Sequence, residues 1–238
     1  MSDFKVDTIT NRDGSYGPQV CGVTTFRSSG VTLPSGPTEM RGGRGRGVFG
    51  AGATPSSTSV MDVIEIATTG NALDFGDDFL SRQENYAAFA SYTRGINAGG
   101  YDSPTAITNI HYFTFSSQGG MNDFGELISA RYTCQGASNA TRGIIRIGTT
   151  LLTLQMATLG EPVDFGDSTH TFSHGDGNSS STRAVFGGGY DSPNSPSKGS
   201  NIIEYVQINT FGNATDFGDL TRRVFYAACV SNGHGGLG

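Results

Sequence analysis

The sequence predicts an all-β protein, built as a four-bladed β-propeller with a short N-terminal β-rich arm. A unit of about four short strands recurs at intervals of 41 to 51 residues, which is the repeat length of a propeller blade. Glycine accounts for 36 of the 238 residues, about twice its usual ~7% share, as close packing of blades would require. No segment long enough for a helix shows helical periodicity of its apolar residues.

The triplet Asp-Phe-Gly marks each repeat and occurs four times. Glycine stands four positions before each triplet, and apolar residues stand eight, ten and thirteen positions before it. This pattern predicts a strand with one buried face, followed by a turn in which aspartate caps, glycine takes a positive φ and phenylalanine packs between blades. The predicted turn residues are Asp74, Phe75, Gly76, Asp123, Phe124, Gly125, Asp164, Phe165, Gly166, Asp216, Phe217 and Gly218.

The order of the repeat elements predicts how the ring closes. Small-residue stretches such as "NYAAFAS", "TCQGAS" and "FYAACVS" follow the triplets, and an Arg-Gly strand follows the small residues. The array begins at Arg46 with the second strand of a blade and ends with the first strand of one. Because unpaired strand edges promote aggregation, we expect residues 223–230 to pair with residues 47–52.

Residues 1–40 differ from the array at 41–238, since they are rich in turn residues and carry one strand-like run, "QVCGVTTF". We interpret residues 1–40 as an attachment arm that joins the protein to a larger assembly. They contain no apolar run typical of a secretory signal.

Bulk composition argues against several classes of function. The chain has 15 basic and 21 acidic residues, a net charge of −6, whereas a nucleic-acid-binding surface is basic. It lacks an apolar stretch of the ~18 residues that a membrane span needs. The chain has an odd number of cysteines, and none of them forms a C-x-x-C pair. This favours reduced thiols in the core over disulfides or a zinc site at Cys21, Cys134 and Cys229.

A kinase is excluded although Asp-Phe-Gly binds magnesium in that family. The pattern Gly45-x-Gly47-x-x-Gly50 resembles a phosphate loop, but the only lysines are Lys5 and Lys198, and His-Arg-Asp does not occur. A single active site also does not need four regularly spaced copies of the same metal ligand. The triplets are therefore interpreted as structural, and no catalytic residue, cofactor or metal is predicted.

Three other groups of residues could carry chemistry. The aspartate of each triplet and the carboxylate directly after the triplet could hold Ca²⁺, but capping by aspartate is the favoured interpretation. These pairs are Asp74 with Asp77, Asp123 with Glu126, Asp164 with Asp167, and Asp216 with Asp219. Arginines recur in register, and we expect them to pair with the triplet carboxylates rather than to bind a glycan or phosphate. His170 and His174 lie in a Gly- and Ser-rich segment, which favours a surface loop over zinc binding. The recurring arginines are Arg46, Arg82, Arg94, Arg131, Arg142 and Arg183.

The repeat resembles a kelch unit in its order of arginine, small apolar strand, Gly-Gly strand and "NIIEYVQI"-type strand. It departs from kelch in having no tryptophan, and the triplet phenylalanines stand roughly where tryptophan would be. The whole chain more closely resembles virion structural proteins of marine cyanophages and related marine tailed phages. The matching segments are the "GNATDFGDL" repeats, Val6–Phe26, Leu33–Glu39 and His234–Leu237.

This resemblance implies a non-enzymatic virion protein in a tail, neck or fibre-like appendage, assembled in the host cytoplasm. The arm would bind other virion proteins, and the chain would form a homo-oligomer without nucleic acid or a membrane span. An alternative is an adhesion module that binds a host surface or glycan through the variable loops at 101–109, 174–182 and 190–201. A propeller enzyme is a third alternative.

Overall fold

A computed structural model describes residues 45–231, apart from 51, 53–57, 67, 83–85 and 191–198. The described part is all-β and contains 17 strands and no helix, which confirms the all-β part of the predicted fold class. The attachment arm predicted at residues 1–40 lies outside the described residues.

Four antiparallel sheets, named I to IV in chain order, correspond to the four repeats. Sheet I contains β1 Arg46–Gly50, β2 Val60–Glu65 and β3 Leu73–Asp77. Sheet II contains β4 Ala87–Ala90, β5 Arg94–Ala98, β8 Asn109–Thr114 and β9 Asn122–Glu126, with a small hairpin of β6 Tyr101–Asp102 and β7 Thr105–Ala106 inserted. Sheet III contains β10 Cys134–Ser138, β11 Arg142–Ile147, β12 Thr150–Gln155 and β13 Val163–Asp167. Sheet IV contains β14 Asp176–Ser179, β15 Arg183–Gly187, β16 Ser200–Gln207 and β17 Thr215–Val224.

Consecutive sheets pack face to face, and the core consists of three apolar clusters between them. The first strands β4, β10 and β14 lie side by side. Ser138 Oγ donates to the carbonyl of Ala90 at 2.9 Å, and Ser179 Oγ donates to the carbonyl of Ser138 at 2.6 Å. A Cβ on Gly136 would lie 3.2 Å from the Cβ of Ala87. The small residues therefore permit the close approach of first strands that the sequence predicts.

The Asp-Phe-Gly triplets lie inside strands and not in turns, which corrects the prediction. Each triplet belongs to the last strand of its sheet, and the pairing register shifts by one residue at that point in all four sheets. Each shift leaves the phenylalanine as the extra residue of a β-bulge. A β-bulge favours the same residue types as a turn, because both hold one residue in a backbone conformation that glycine adopts most easily.

The predicted ring closure is wrong. Among the described residues, β1 pairs with β2 alone, and β17 ends at Val224. Residues 225–231 run beside sheet IV. There the Tyr226 N–H donates to the carbonyl of His174 at 2.9 Å, and the Cys229 N–H donates to Asp176 Oδ2 at 2.8 Å.

The predicted burial of the four triplet phenylalanines holds for three of them. Phe75, Phe124 and Phe165 are 2–3% exposed, whereas Phe217 is 53% exposed. The first three each pack under the sheet that follows. Sheet IV is the last sheet described, so no following sheet covers Phe217.

Candidate functional site

The repeated functional element of this fold is the contact between consecutive sheets, called here a junction. Each junction starts from the bulge that a triplet forms. The triplet glycines have φ values from 132° to 151°, a region that strongly favours glycine. In sheets I, III and IV the aspartate Oδ1 accepts a hydrogen bond from that glycine N–H, at 2.9, 3.2 and 3.0 Å. The aspartates therefore hold the bulge.

The bulge places a phenylalanine carbonyl against the next sheet. The acceptor belongs to one triplet, and the donor is the glycine that precedes the next triplet by four positions. These hydrogen bonds are Gly119 N to Phe75 O at 2.8 Å, Gly160 N to Phe124 O at 3.1 Å, and Gly212 N to Phe165 O at 3.0 Å. The triplet glycine and the glycine four positions before the triplet therefore both take part in the junction.

The triplet glycine also permits a close approach of two main chains. A Cβ on Gly76 would lie 2.5 Å from the carbonyl carbon of Gly119, and one on Gly166 would lie 2.4 Å from the carbonyl oxygen of Gly212. Those atoms are main chain and have little freedom to move aside. Any side chain would therefore force the sheets apart.

Three of the recurring arginines, Arg46, Arg94 and Arg142, bind main-chain carbonyls of the next sheet, which corrects their predicted pairing with triplet carboxylates. Arg94 Nη1 donates to the carbonyl of Met156 at 2.9 Å, and Arg142 Nη1 donates to that of Ile208 at 2.9 Å. Arg46 reaches Phe115 in the same way and also pairs with Glu65 at 3.0 Å. The acceptor always stands eight positions before a triplet, so each arginine crosses one junction.

Arg82 forms a buried ionic cluster with Asp78 and His111 at the junction of sheets I and II. Asp78 Oδ2 lies 3.0 Å from Arg82 Nε, and Asp78 Oδ1 lies 2.5 Å from His111 Nδ1. Arg82 also donates to the carbonyls of Gly99 and Asn109. Burial alone would raise the pKa of Asp78, but the His111 hydrogen bond and the Arg82 charge outweigh burial and lower it.

A second buried ionic cluster holds the junction of sheets III and IV. Arg146 Nη2 lies 3.2 Å from Glu204 Oε1 and donates to the carbonyl of His170 at 2.7 Å. Glu204 also accepts from the hydroxyls of Ser168 and Thr169, and from the Thr169 N–H at 2.9 Å. Burial lowers the pKa of Arg146, and Glu204 opposes that effect.

The two clusters use equivalent positions of the repeat. His111 and Glu204 both stand twelve residues before a triplet, and Asp78 and Ser168 both stand four residues after the aspartate of one. At the junction between sheets II and III these positions hold Leu152 and Leu127, which are apolar and buried. Neither cluster could be predicted from the repeat, because the pattern shows only residues that recur and these pairs differ at each junction.

The remaining sequence candidates do not converge. His170 is exposed and stacks on Phe172, with ring centroids 5.6 Å apart. His174 contacts Tyr226 instead. The two histidines lie outside regular strands, as predicted, but residues 176–179 form β14 and are not a loop. In the part of the chain that is described, no group of three or more His, Cys, Asp or Glu residues could hold a metal.

Cys134 is a buried free thiol, as predicted, and burial raises its pKa to about 12. Cys229 is also free but only half-buried. Cys21 lies outside the described residues. The described segments also contain no helix long and apolar enough to cross a membrane.

Comparison with protein-family models finds no matching family, and comparison with curated proteins finds no match.

Proposed function

We propose that this chain is a non-enzymatic structural component of a bacteriophage virion, in a tail, neck or fibre-like appendage. In this proposal each sheet is one blade of a kelch-like propeller array. The observation that carries the proposal is that the triplet aspartates of sheets I, III and IV hold their own bulges, and that Arg46, Arg94 and Arg142 hold neighbouring sheets together.

The junction contacts support a scaffold role. The triplet aspartates of sheets I, III and IV accept hydrogen bonds from their own bulge, and Arg94 and Arg142 donate across junctions to main-chain carbonyls. A binding or catalytic site instead collects polar groups around a pocket and leaves them free to meet a ligand. Stacks of repeated units stabilise themselves through such neighbour contacts.

The virion assignment is supported by sequence. The repeat and both chain ends resemble virion structural proteins of marine tailed phages, in which the arm at residues 1–40 would contact other virion proteins. Mass spectrometry of purified virions, with labelled density for the protein, tests this assignment. We expect the protein at a fixed copy number per particle. Abundance in infected cells together with absence from purified particles would overturn the assignment.

The same system tests the arm. A phage that encodes the protein without residues 1–40 is expected to produce folded array that is missing from particles. Incorporation of the truncated protein would place the attachment surface in the array instead.

Binding of a host-surface glycan is a second candidate, favoured by one observation. Tyr101 of the β6–β7 hairpin and Tyr132 form an edge-to-face pair with centroids 6.1 Å apart, and Tyr132 is half-exposed. Tyrosine presents an apolar ring and a hydroxyl together, which suits binding at wet surfaces. A glycan array tests this candidate, with Tyr132→Ala expected to abolish any specific signal.

A further inference from the structure

We propose that this chain binds a second copy of itself head to tail, with sheet IV of one copy docking on sheet I of the next. The inference rests on the stacked-sheet part of the proposed function and is independent of the virion assignment. It follows from comparing the two outer faces of the array with the three junctions inside it.

The head face is the side of sheet I that points away from sheet II. It carries Phe49, Asp62, Ile64 and Ile66, since Met61 and Val63 face sheet II and neighbouring strand residues alternate. Phe49 is 63% exposed and Ile66 is 66% exposed. The residues at equivalent positions of sheets III and IV are fully buried by the preceding sheet. They are Ile145 and Phe186 for Phe49, and Met156 and Ile208 for Ile66.

The tail face is the side of sheet IV that points away from sheet III. It carries Val185, Ile203, Phe217 and Leu220, which are half-buried or exposed. Equivalent residues in sheet III are buried under sheet IV, namely Ile144, Leu151, Phe165 and Ser168. A groove of about 340 Å³ separates the tail face from the terminal segment Ala227–Cys229. The tail face thus has the composition of a junction with its following sheet removed.

The tail face carries one partner of each main-chain and arginine contact of a junction, and the head face carries the other partner. Among the described residues, no atom lies within 4 Å of a Cβ position on Gly218 at the tail. A Cβ on its equivalents Gly76, Gly125 and Gly166 would instead lie 2.4–2.9 Å from main-chain atoms of the next sheet. By the same equivalence, Gly70 N would donate to Phe217 O, and Arg183 would donate to the carbonyl of Ile66.

The tail and head faces also carry the two members of a polar pair that occurs at an internal junction. Thr169 donates its N–H and its hydroxyl to Glu204 at the junction of sheets III and IV. Thr221 occupies the position of Thr169, and Asp62 occupies the position of Glu204. Docking would therefore give the Asp62 carboxylate the donors that a buried carboxylate requires.

Residues 229–231 would supply a strand that the described part of sheet I lacks. Sheets II to IV begin with a small-residue strand, whereas the first described strand of sheet I corresponds to their second. Residues 229–231 share a groove with β4, β10 and β14, next in line after β14. By register, Val230 corresponds to Ala90, Ser138 and Ser179, so it would pair with Gly47 on the edge of β1 that no described strand covers. Strand addition to an exposed edge is a common mode of chain association.

A second copy fits this surface because both halves of the junction are exposed on the same chain. Such a head-to-tail contact is heterologous, so it closes into a ring or continues as a filament. Two chains would place eight sheets in a ring, within the usual range of four to eight blades.

Light scattering of the full chain over a dilution series tests the proposal. We expect the mass to rise with concentration, and Ile66→Glu to abolish this rise. Ile128→Glu is the matched control, because Ile128 is 65% exposed but follows β9 of sheet II and so belongs to neither the head face nor the tail face. Thr221→Val is expected to raise Kd about tenfold, as loss of a hydrogen bond to a charged group would. Mass equal to one chain at all concentrations would overturn the proposal, whether the chain closes on itself or its own N-terminal residues fill the head face.

A mixing experiment identifies which faces meet. Ile66→Glu blocks the head and Phe217→Glu blocks the tail, so each variant alone is expected to remain monomeric. Their mixture retains one intact head and one intact tail, and it should form a dimer that grows no further. Absence of that dimer, or association of either variant alone, would overturn the head-to-tail arrangement. Neither outcome bears on the presence of the protein in virions.

Discussion

Phe165 and Phe217 occupy the same position of the repeat, but the structure predicts different costs for truncating them. Phe165 is buried in the cluster between sheets III and IV and stacks on Phe211, with centroids 5.3 Å apart. Phe165→Ala removes a fully buried ring, a change that costs about 3–5 kcal/mol. Phe217 already has about half of its surface in water. Since full burial of an apolar side chain contributes about 1.5–3 kcal/mol, Phe217→Ala is expected to cost about 1 kcal/mol in a single chain.

Thermal unfolding at a concentration where the chain is monomeric measures the contrast. For a domain of this size, each kcal/mol shifts Tm by about 2–4 °C. Phe165→Ala should therefore lower Tm by about 6–20 °C and Phe217→Ala by only about 2–4 °C. Equal large losses would show that Phe217 is covered in the single chain, and the open tail face would then be refuted.

Two further predictions address the junctions. Gly166→Ala and Gly218→Ala both place alanine at a positive φ, but only the first meets a main-chain oxygen at 2.4 Å. Thermal unfolding should therefore show a larger loss of Tm for Gly166→Ala, and equal losses would contradict the contact between sheets III and IV. The pKa of Asp78 is lowered from 3.8, so its ion cluster adds stability above that pH and loses it as pH falls through the lower folded value. In urea titrations, the unfolding free energy of the wild type should therefore decline on acidification below about pH 4 more steeply than that of Asp78→Asn; parallel pH profiles would contradict the cluster.

The all-β class, the four repeats and the burial of three triplet phenylalanines could be predicted because each depends on local pattern. The triplet was misassigned to a turn because Asp and Gly satisfy turns and bulges through the same chemistry. Only the pairing partner on the neighbouring strand distinguishes the two. The partners of Arg94 and Arg142 were missed for a related reason: recurrence shows that an arginine and a carboxylate repeat together, but main-chain carbonyls repeat in every unit.

The exposure of Phe217 could not be read from its own repeat. Its sequence context, "TDFGD", closely matches "VDFGD" around the buried Phe165. Burial at this position depends on whether another sheet follows, which is a property of the array and its partners. The buried pairs of Asp78 with His111 and of Arg146 with Glu204 were missed because each occurs at one junction only.

Amide hydrogen exchange at Gly212 and Gly70 over a dilution series tests the central claim most directly. Gly212 N donates across an internal junction at 3.0 Å, whereas within the described residues Gly70 N makes no hydrogen bond. We expect the Gly212 amide to be protected at every concentration, and the Gly70 amide to exchange rapidly in dilute protein and more slowly as copies associate. Rapid exchange at Gly212 would contradict the junction, and protection of Gly70 at the lowest concentration would show that the single chain already covers its own head face.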